Sequence, residues 1–520
     1  MKKIFTTLFV AGMAMAVMAV PARRGGVVRT AADGTEKTVF VQGDECYHYI
    51  TDAEGNWLDE ETLLPISEEK KALRMRAKTE GNRAKVRRAK AETGTDRLLA
   101  PRGAVILVSF SDLDFDATNA EMKDWAMGEN YTYNGATGSI HKYFMDQSWG
   151  QYNLQLDVVG PVKVSKEMSY YGQNDKYGYD KHPDELVVEA CKLAHDQGID
   201  FSNYDFNNDG YVDWVVILYA GYGEASGAPA NTIWPHQYEL SFSEPSSLAF
   251  KLDGKTVDHY CCLNEKEYQT KKRDGIGTFC HEFSHVMGLP DFYATTEGAT
   301  HHTLVDWDIM DYGPYNNNGN TPPSYSAYER WFMGWIEPTL LNTAATVTLA
   351  NLNHEGGKAC YITENGNAIS NILRPSPSTF YLLENRQKSG WDQYIKGSGL
   401  MITKIKWNRD RWAGNEVNNY PSDMGVDIIE AKTNTSDYGK STDLYPRGAT
   451  EFTMVTNYQV TNIALTDDII TFDVNGGGAT INLDVENVEA AAAAVKYIEN
   501  GRVVIFRDGK KYDILGSRIR

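Results

Sequence analysis

The sequence predicts an α+β protein in which a twisted sheet with helices is followed by a β-rich, sandwich-like part. Two observations support this prediction. From residue 103 to 220, short apolar runs rich in β-branched residues alternate with amphipathic segments of helical period. From about residue 345 to 475, short strand candidates separated by Gly, Asn and Asp take over. Hydrophobic residues make up 42% and aromatic residues 12% of the 520 residues, enough for large cores.

The first residues have the pattern of an export signal. Lys2 and Lys3 precede an apolar run from Ile4 to Val20, and Val17-Met18-Ala19 offers a cleavage site. A membrane anchor is the alternative, but the run is short and interrupted by threonines. No later segment is apolar for about 18 residues. The sequence therefore predicts a signal peptide at 1–19, a secreted or cell-surface protein, and no transmembrane helix in the mature chain.

Residues 20–100 are predicted to form a pro-region with a basic activation linker. Residues 38–42 and 47–50 have strand patterns, with a turn at 53–56. Between Lys70 and Arg102 there are twelve basic and three acidic residues, in a chain of net charge −19. The alternative is an ordinary solvated helix or linker. Arg87-Arg88 and Arg97 are candidate cleavage points, which would make an activating protease a partner.

Residues 101–340 form the next predicted unit. The pattern predicts strands at 104–110, 153–158 and 214–220 and helices at 139–147 and 183–196, where Pro183 stands in the first helical turn. Residues 341–478 are predicted to be the β-rich accessory domain, with strands at 345–349, 379–383, 399–405 and 469–474. Residues 479–520 are predicted to be a linker and a hairpin tail around Asp508-Gly509, with a possible role in secretion or attachment.

The chemistry of the chain is predicted by His281-Glu282-Phe283-Ser284-His285. Residues four apart lie on one face of a helix, so His281 and His285 can bind one zinc ion. Glu282 is turned away from the ligand face and can take a proton from the zinc-bound water, which then attacks a peptide carbonyl. The apolar surroundings predict a buried helix, where ionisable groups are costly unless paired or bound to metal. The alternative is a buried structural histidine pair.

The third zinc ligand is predicted to be Asp291. Gly288 and Asp291 follow His285 at three and six residues, which matches the metzincin spacing HExxHxxGxxH with Asp in place of the last His. The alternative role for Asp291 is to hold the turn or orient a ligand. Other candidate ligands remain open: Glu297, His301, His302 and Glu329.

The segment Asp306-Trp307-Asp308-Ile309-Met310-Asp311-Tyr312-Gly313 is predicted to be a methionine turn. Met310 would lie beneath the zinc, and Tyr312 would donate a hydrogen bond to the developing oxyanion. The alternative is a tight turn with a core methionine and a packing tyrosine.

A calcium loop is predicted between residues 205 and 213. The candidate ligands are Asp205, Asn207, Asp209, Tyr211 and Asp213, with Gly210 at the sharp turn. Position twelve is Val216 rather than Glu, so the loop departs from an EF-hand, and any calcium would be structural. The alternative is an uncharged Asx turn.

Two further residues are weaker candidates. Cys46 could cap the zinc as a thiolate, and His236 is predicted to be structural rather than a ligand. The chain has six cysteines, which allow 15 complete pairings.

Five stretches of the sequence resemble the immune inhibitor A-like metallopeptidases. They are HEFSHVMGLPDFY from His281, DFNNDGYVDWVVILYAG from Asp205, WDIMDYG from Trp307, PRGAVILVSF from Pro101 and YLLENRQKSGWD from Tyr381. The resemblance implies a secreted, zinc-dependent, calcium-stabilised endopeptidase made as a zymogen, with protein or peptide substrates. It carries over His281 and His285 as ligands and Glu282 as the base. The net charge of −19 disfavours nucleic acid as a partner. The competing hypothesis is a non-catalytic, calcium-stabilised surface adhesin on a protease-like scaffold.

Overall fold

The computed structural model describes residues 20–44, 47–72, 102–175, 179–243, 246–296, 299, 301–432, 439–483, 495–499, 502–507, 510–512 and 518–519. The predicted signal peptide, Cys46, the candidate cleavage points Arg87-Arg88 and Arg97, and Glu297 lie outside these residues.

The N-terminal region folds as an antiparallel sheet of three strands, β1 (Gly26–Thr30), β2 (Glu36–Asp44) and β3 (Tyr47–Thr51). This confirms the strands predicted at 38–42 and 47–50. Its apolar face, which includes Val39 and Ile50, shares one core with Ala225 and Trp234 of the following unit. The N-terminal sheet is therefore packed against that unit rather than standing apart.

The following unit is built on a five-stranded sheet of order β5-β4-β6-β10-β7, in which β7 is the antiparallel edge strand and the others run parallel. Its elements are β4 (Arg102–Ser109), α1 (Asn119–Met127), α2 (Ile140–Gln147), β5 (Gln155–Lys163), α3 (Met168–Gly172), α4 (Pro183–Asp196), β6 (Val215–Tyr222), β7 (His236–Glu239), β8 (Phe250–Leu252), β9 (Lys255–Val257), β10 (His259–Lys266), α5 (Gly277–Val286) and α6 (Ala327–Phe332).

The central strands and flanking helices follow from local sequence. Strand β4 is an almost continuous apolar run and is buried over residues 104–108, as expected for a parallel strand covered on both faces. Helix α2 begins after Ser139, whose side chain accepts a hydrogen bond from the Lys142 amide. Helix α4 has the predicted limits, with Pro183 in its first turn.

The remaining strands form two more sheets. They are β11 (Thr339–Leu340), β12 (Ala345–Leu349), β13 (Cys360–Thr363), β14 (Thr379–Arg386), β15 (Gly399–Lys406), β16 (Val426–Ile428), β17 (Val460–Thr466), β18 (Ile469–Val474) and β19 (Ala479–Leu483), with the short helix α7 (Arg409–Ala413) between β15 and β16. The sheet orders are β11-β13-β14-β15-β16 and β17-β18-β12-β19.

Strand β14 shows how these layers join. Phe380 and Leu382 belong to the core of the central unit, whereas Tyr381 and Leu383 belong to the core shared with the second β-sheet. Because side chains alternate across a strand, this one sheet is covered on both faces. The coarse prediction of a mixed protein with several sheets and few helices is confirmed, although the central sheet is more parallel than the α+β class implies.

At the C-terminus, β20 (Val495–Glu499), β21 (Arg502–Arg507), β22 (Lys510–Tyr512) and β23 (Arg518–Ile519) form a four-stranded antiparallel sheet. Arg507 pairs with Lys510 across the predicted hairpin position. Within the described residues, no helix is long and apolar enough to span a membrane. The five cysteines in the described part of the chain, Cys191, Cys261, Cys262, Cys280 and Cys360, are free and buried.

Candidate metal site

Helix α5 places the zinc motif in the interior of the molecule. The residues from Gly277 to His285 are buried, including His281, Glu282 and His285 at 0% exposure. A Cβ atom on Gly277 would stand 1.9 Å from the Pro314 carbonyl oxygen, so only glycine allows this close approach. The helix is therefore held tightly against the loop that follows the methionine turn.

Three ligand atoms converge at this helix. The Nε2 atoms of His281 and His285 lie 3.0 Å apart, and Asp291 Oδ1 lies 3.1 Å and 3.3 Å from them. Zinc bonds of about 2.0–2.2 Å at tetrahedral angles place neighbouring ligand atoms roughly 3.3–3.5 Å apart. Asp291 Oδ1 is buried and has no hydrogen-bond partner among the described residues. The residues present therefore fit a zinc ion.

The two imidazoles are oriented by backbone carbonyls. His281 Nδ1 lies 2.7 Å from the Ile309 oxygen, and His285 Nδ1 lies 2.7 Å from the Leu289 oxygen. A carbonyl only accepts hydrogen bonds, so each Nδ1 is the protonated nitrogen. This fixes the tautomer in which both Nε2 lone pairs point toward Asp291, as a metal ligand requires.

Asp291 is held by a residue that the sequence did not reveal. Asn415, just beyond helix α7, donates from Nδ2 to Asp291 Oδ2 at 2.6 Å and accepts from the Asp291 amide at 2.7 Å. Asn415 lies 124 positions away, and no local pattern signals the pairing.

The other candidates for the third zinc ligand that the structure describes have different partners. His301 Nε2 lies 2.7 Å from the Asn418 oxygen, and His302 lies 3.9 Å from a carboxylate oxygen of Glu430. Glu329 closes a capping box with Ser326 at the start of α6. Among described residues, the group that could hold a metal at α5 consists of His281, His285 and Asp291.

Glu282 lies beside the metal-ligand group, and its carboxylate is covered by the N-terminal region. Its Oε1 accepts a hydrogen bond of 2.8 Å from the Val20 amide, while Oε2 is buried and has no hydrogen-bond partner in the described part of the chain. Burial raises the pKa of Glu282 well above its usual range, and the Val20 N–H only partly opposes this. In this arrangement the Glu282 carboxylate is hydrogen-bonded to the N-terminal region of the same chain.

The predicted methionine turn packs directly under the ligand helix. Met310 is fully buried, its amide donates to Asp308 Oδ1 at 2.8 Å, and its carbonyl accepts from the Phe292 amide at 2.7 Å. The preceding residue, Ile309, provides the carbonyl that orients His281. The Tyr312 ring is half-buried and lies 3.6 Å from the guanidinium carbon of Arg24.

The structure does not support calcium at residues 205–213. Asp205 Oδ2 accepts hydrogen bonds from the Lys255 ammonium at 2.6 Å and the Gly210 amide at 3.0 Å. Asn207 and Asp209 accept from backbone amides of the same loop, and Asp213 accepts from the Phe206 amide. Tyr211 is 46% exposed. The Lys255 ammonium therefore supplies the positive charge at Asp205 that the sequence assigned to a calcium ion.

His236 has the structural role that the sequence favoured. Its Nδ1 lies 2.7 Å from the Trp234 carbonyl oxygen, and its Nε2 lies 3.2 Å from the Tyr260 hydroxyl. Both ring nitrogens therefore have partners within the fold.

Comparison with known proteins gives a consistent result. Residues 102–336 match the family described as immune inhibitor A peptidase M6, catalytic domain. The chain is 28% identical to immune inhibitor A of Bacillus thuringiensis subsp. alesti over 218 residues, which is 37% of this chain and 31% of that protein. It is 26% identical to the pre-pro-metalloprotease PrtV of Vibrio cholerae over 279 residues, or 46% of this chain and 30% of that protein. The similarity thus spans less than a third of the length of these relatives.

Proposed function

We propose that the chain is a secreted zinc-dependent endopeptidase, because residues 102–336 match the immune inhibitor A peptidase M6 catalytic domain. The observation that carries the proposal is the convergence of His281 Nε2, His285 Nε2 and Asp291 Oδ1 within 3.3 Å of one another. His281, His285 and Asp291 would hold the zinc. A zinc ion held there would supply Lewis acidity, which makes a water molecule acidic enough to lose a proton near neutral pH.

Glu282 is proposed to move that proton. It adjoins His281 on the same helix, and its Oε2 is buried and accepts no hydrogen bond from the residues that the structure describes. A buried carboxylate with a raised pKa can accept a proton from water and pass it to the leaving amine. Met310 would support the ligands from below through the Ile309 carbonyl, and Tyr312 would stabilise the oxyanion once Arg24 no longer covers its ring.

The N-terminal region is proposed to keep the enzyme latent as a zymogen. The Val20 amide is bonded to Glu282, and the segment that follows it is held on the catalytic domain by Trp234 and Tyr315. If the signal peptide is removed after Ala19, Val20 carries the new α-amino group at this position. Cleavage within the basic linker at 73–101 would then let the N-terminal region leave.

Activity against casein and zinc content test the proposed function together. We expect the full chain to cleave casein after the linker is cut, and a chelator to abolish the activity until zinc is restored. Glu282→Ala should retain zinc but lose at least about a thousandfold in rate, since it removes the proton carrier and leaves the ligands. Glu129→Gln, an exposed glutamate, is the matched control. An active Glu282→Ala enzyme would rule out this mechanism.

Latency has its own test. Deletion of residues 20–24 from the full chain should raise cleavage before the linker is cut, because Glu282 is then uncovered. The alternative hypothesis, a non-catalytic adhesin, predicts no cleavage by any of these forms. Calcium remains an unsupported prediction of the sequence, and its addition is expected to leave the melting temperature unchanged.

A further inference from the structure

The segment Val20–Arg24 lies on the catalytic domain as a bound peptide would. Four of its main-chain atoms make hydrogen bonds across the interface: the Val20 amide to Glu282, the Val20 oxygen to Trp234 Nε1, the Pro21 oxygen to the Tyr315 hydroxyl, and the Arg23 amide to the Ala225 oxygen. Any peptide has such atoms, so the same groups can hold a substrate chain. The side chains of the segment therefore show what the neighbouring pockets accept.

One side chain of this segment enters an acidic pocket. Arg23 Nη1 lies 2.7 Å from Glu267 Oε1, and Arg23 Nη2 donates to Asn318 Oδ1 at 2.6 Å. The side chains of Arg23 and Glu267 are only 10% and 4% exposed. A charge pair this well desolvated discriminates strongly between a guanidinium and a neutral side chain.

The Glu267 carboxylate is fixed in position by its own loop. Its Oε1 accepts from the Gln269 amide at 2.8 Å and its Oε2 from the Thr270 amide at 2.5 Å. The nearby Lys271 ammonium lies 3.0 Å from the centre of the Tyr268 ring, over the aromatic face. The pocket wall is thus built by the catalytic domain and does not depend on the N-terminal region for its shape.

A second carboxylate makes the pocket more acidic. Burial and the charge of Glu267 raise the pKa of Asp274 to about 6, against the opposing charge of Arg23. When the N-terminal region leaves, these carboxylates lose the guanidinium that faced them. The pocket then lacks the positive charge that was paired with Glu267, so it favours another cation.

We propose that Glu267 and Asn318 form a specificity subsite for an arginine side chain of the protein substrate. The arginine would stand three residues C-terminal to the position whose amide faces Glu282, as Arg23 does relative to Val20. The inference rests on the proposed peptidase function and adds the class of substrate, which is protein segments that carry an arginine at this position. The Arg23 side chain would then occupy the subsite until activation.

The test uses the full chain cut within 73–101 and freed of the released N-terminal fragment. Quenched-fluorescence peptides differing only by Arg, Lys, Gln or Glu at one scanned position report kcat/KM. We expect arginine to exceed glutamine at least tenfold at one position. Glu267→Gln keeps one of the two acceptor oxygens that the loop amides use, removes the charge, and should reduce that ratio to near one, whereas the control Glu129→Gln should leave it unchanged.

A second variant covers the case in which Glu267→Gln does not fold. Asn318 has a φ of 53°, a conformation that Asp also tolerates. Asn318→Asp adds a carboxylate at the guanidinium, so the preference for arginine should rise severalfold. An unchanged ratio in this variant would count against the subsite.

A binding measurement separates the subsite from catalysis. Labelled Val-Pro-Ala-Arg-Arg and Val-Pro-Ala-Gln-Arg are titrated onto the same cut chain, and fluorescence anisotropy reports their affinities. If casein is not cleaved but the arginine peptide binds at least tenfold more tightly, the proposed function fails and the subsite stands. If casein is cleaved, yet both peptides bind equally and no position prefers arginine, the subsite is overturned.

Discussion

Asn415 is the residue on which the orientation of Asp291 depends. Its side-chain amide bonds both the carboxylate and the backbone of Asp291, so it fixes the direction of Oδ1 toward the histidines. A polar group that only orients a ligand commonly changes metal affinity by about 10–100-fold. The separate contributions of Asp291 and Asn415 to zinc affinity can therefore be measured with single substitutions.

The expected order of zinc retention is wild type, then Asn415→Ala, then Asp291→Ala. Removal of Asp291 deletes a proposed ligand and should cost most of the bound zinc, whereas removal of Asn415 should weaken binding by about 10–100-fold. Zinc content after dialysis against a graded chelator series measures this order. His301→Gln serves as the control, because His301 bonds the Asn418 carbonyl instead. Unchanged zinc in Asp291→Ala would show that another residue is the ligand.

At the scale of elements, the N-terminal sheet is joined to the catalytic domain by a buried ion pair. His48 on β3 has its Nε2 2.9 Å from Glu224 Oε1, and its ring stacks on Trp234 at 4.5 Å between centroids. Burial lowers the pKa of His48, but the Glu224 charge outweighs it and raises the pKa to about 9. His48 therefore binds its proton more tightly when the N-terminal sheet is docked than when the sheet is free.

This pair predicts a pH dependence of docking. The pKa of His48 rises from 6.5 to about 9 on docking, so its contribution is fully present below pH 6.5 and is lost as pH rises through about 9. The shift corresponds to at most about 3 kcal/mol. We expect the melting temperatures of wild type and His48→Gln to differ at pH 6.5 and to converge near pH 10. His354→Gln, at an exposed site, should show no such convergence. A difference that persists at pH 10 would assign the effect to packing on Trp234.

Local patterns predicted the elements well, because periodicity and caps are local properties. Helix α4 and strands β12 and β18 have the limits that the sequence indicated, and the HExxH helix is where its spacing placed it. The calcium prediction lacked support because the Lys255 ammonium lies against Asp205. That contact joins residues 50 positions apart, so the local pattern of the loop did not indicate it. For the same reason the sequence showed neither the Val20–Glu282 contact, across 262 positions, nor the support of Asp291 by Asn415.

At the scale of the whole molecule, the catalytic and β-rich halves share a buried polar network. Arg386 on β14 bonds Asp392 through Nε and Nη2, each at 2.7 Å, and reaches Glu384 at 3.1 Å. The same two acids accept from amides of the catalytic half, Asp392 from Ser324 and Glu384 from Ala327. The predicted boundary near residue 340 therefore crosses a continuous interior, and the β-rich region also supplies Asn415 to the metal site.

Arg386→Met is expected to weaken both halves together. The substitution leaves Asp392 and Glu384 buried without their cation, and breaking one partner of such a pair costs about 3–5 kcal/mol. The free energy of unfolding, from denaturant titration of the full chain, measures this loss. Arg447→Met, which removes an exposed hydrogen bond to the Ser398 carbonyl, should cost less than about 1 kcal/mol.

The network also reaches the metal site. Arg386 Nη2 contacts the Trp307 carbonyl at 3.4 Å, at the start of the methionine turn, and its charge opposes the effect of burial, which raises the pKa of Asp308 to about 7. Loss of Arg386 should therefore raise the pKa of Asp308 further, loosen the turn that orients His281, and lower zinc retention along with stability. If Arg386→Met lost stability but kept wild-type zinc affinity, the two halves would be joined mechanically without support of the metal site. The expected result is a joint loss, because the Ile309 carbonyl that fixes the His281 tautomer belongs to the same turn.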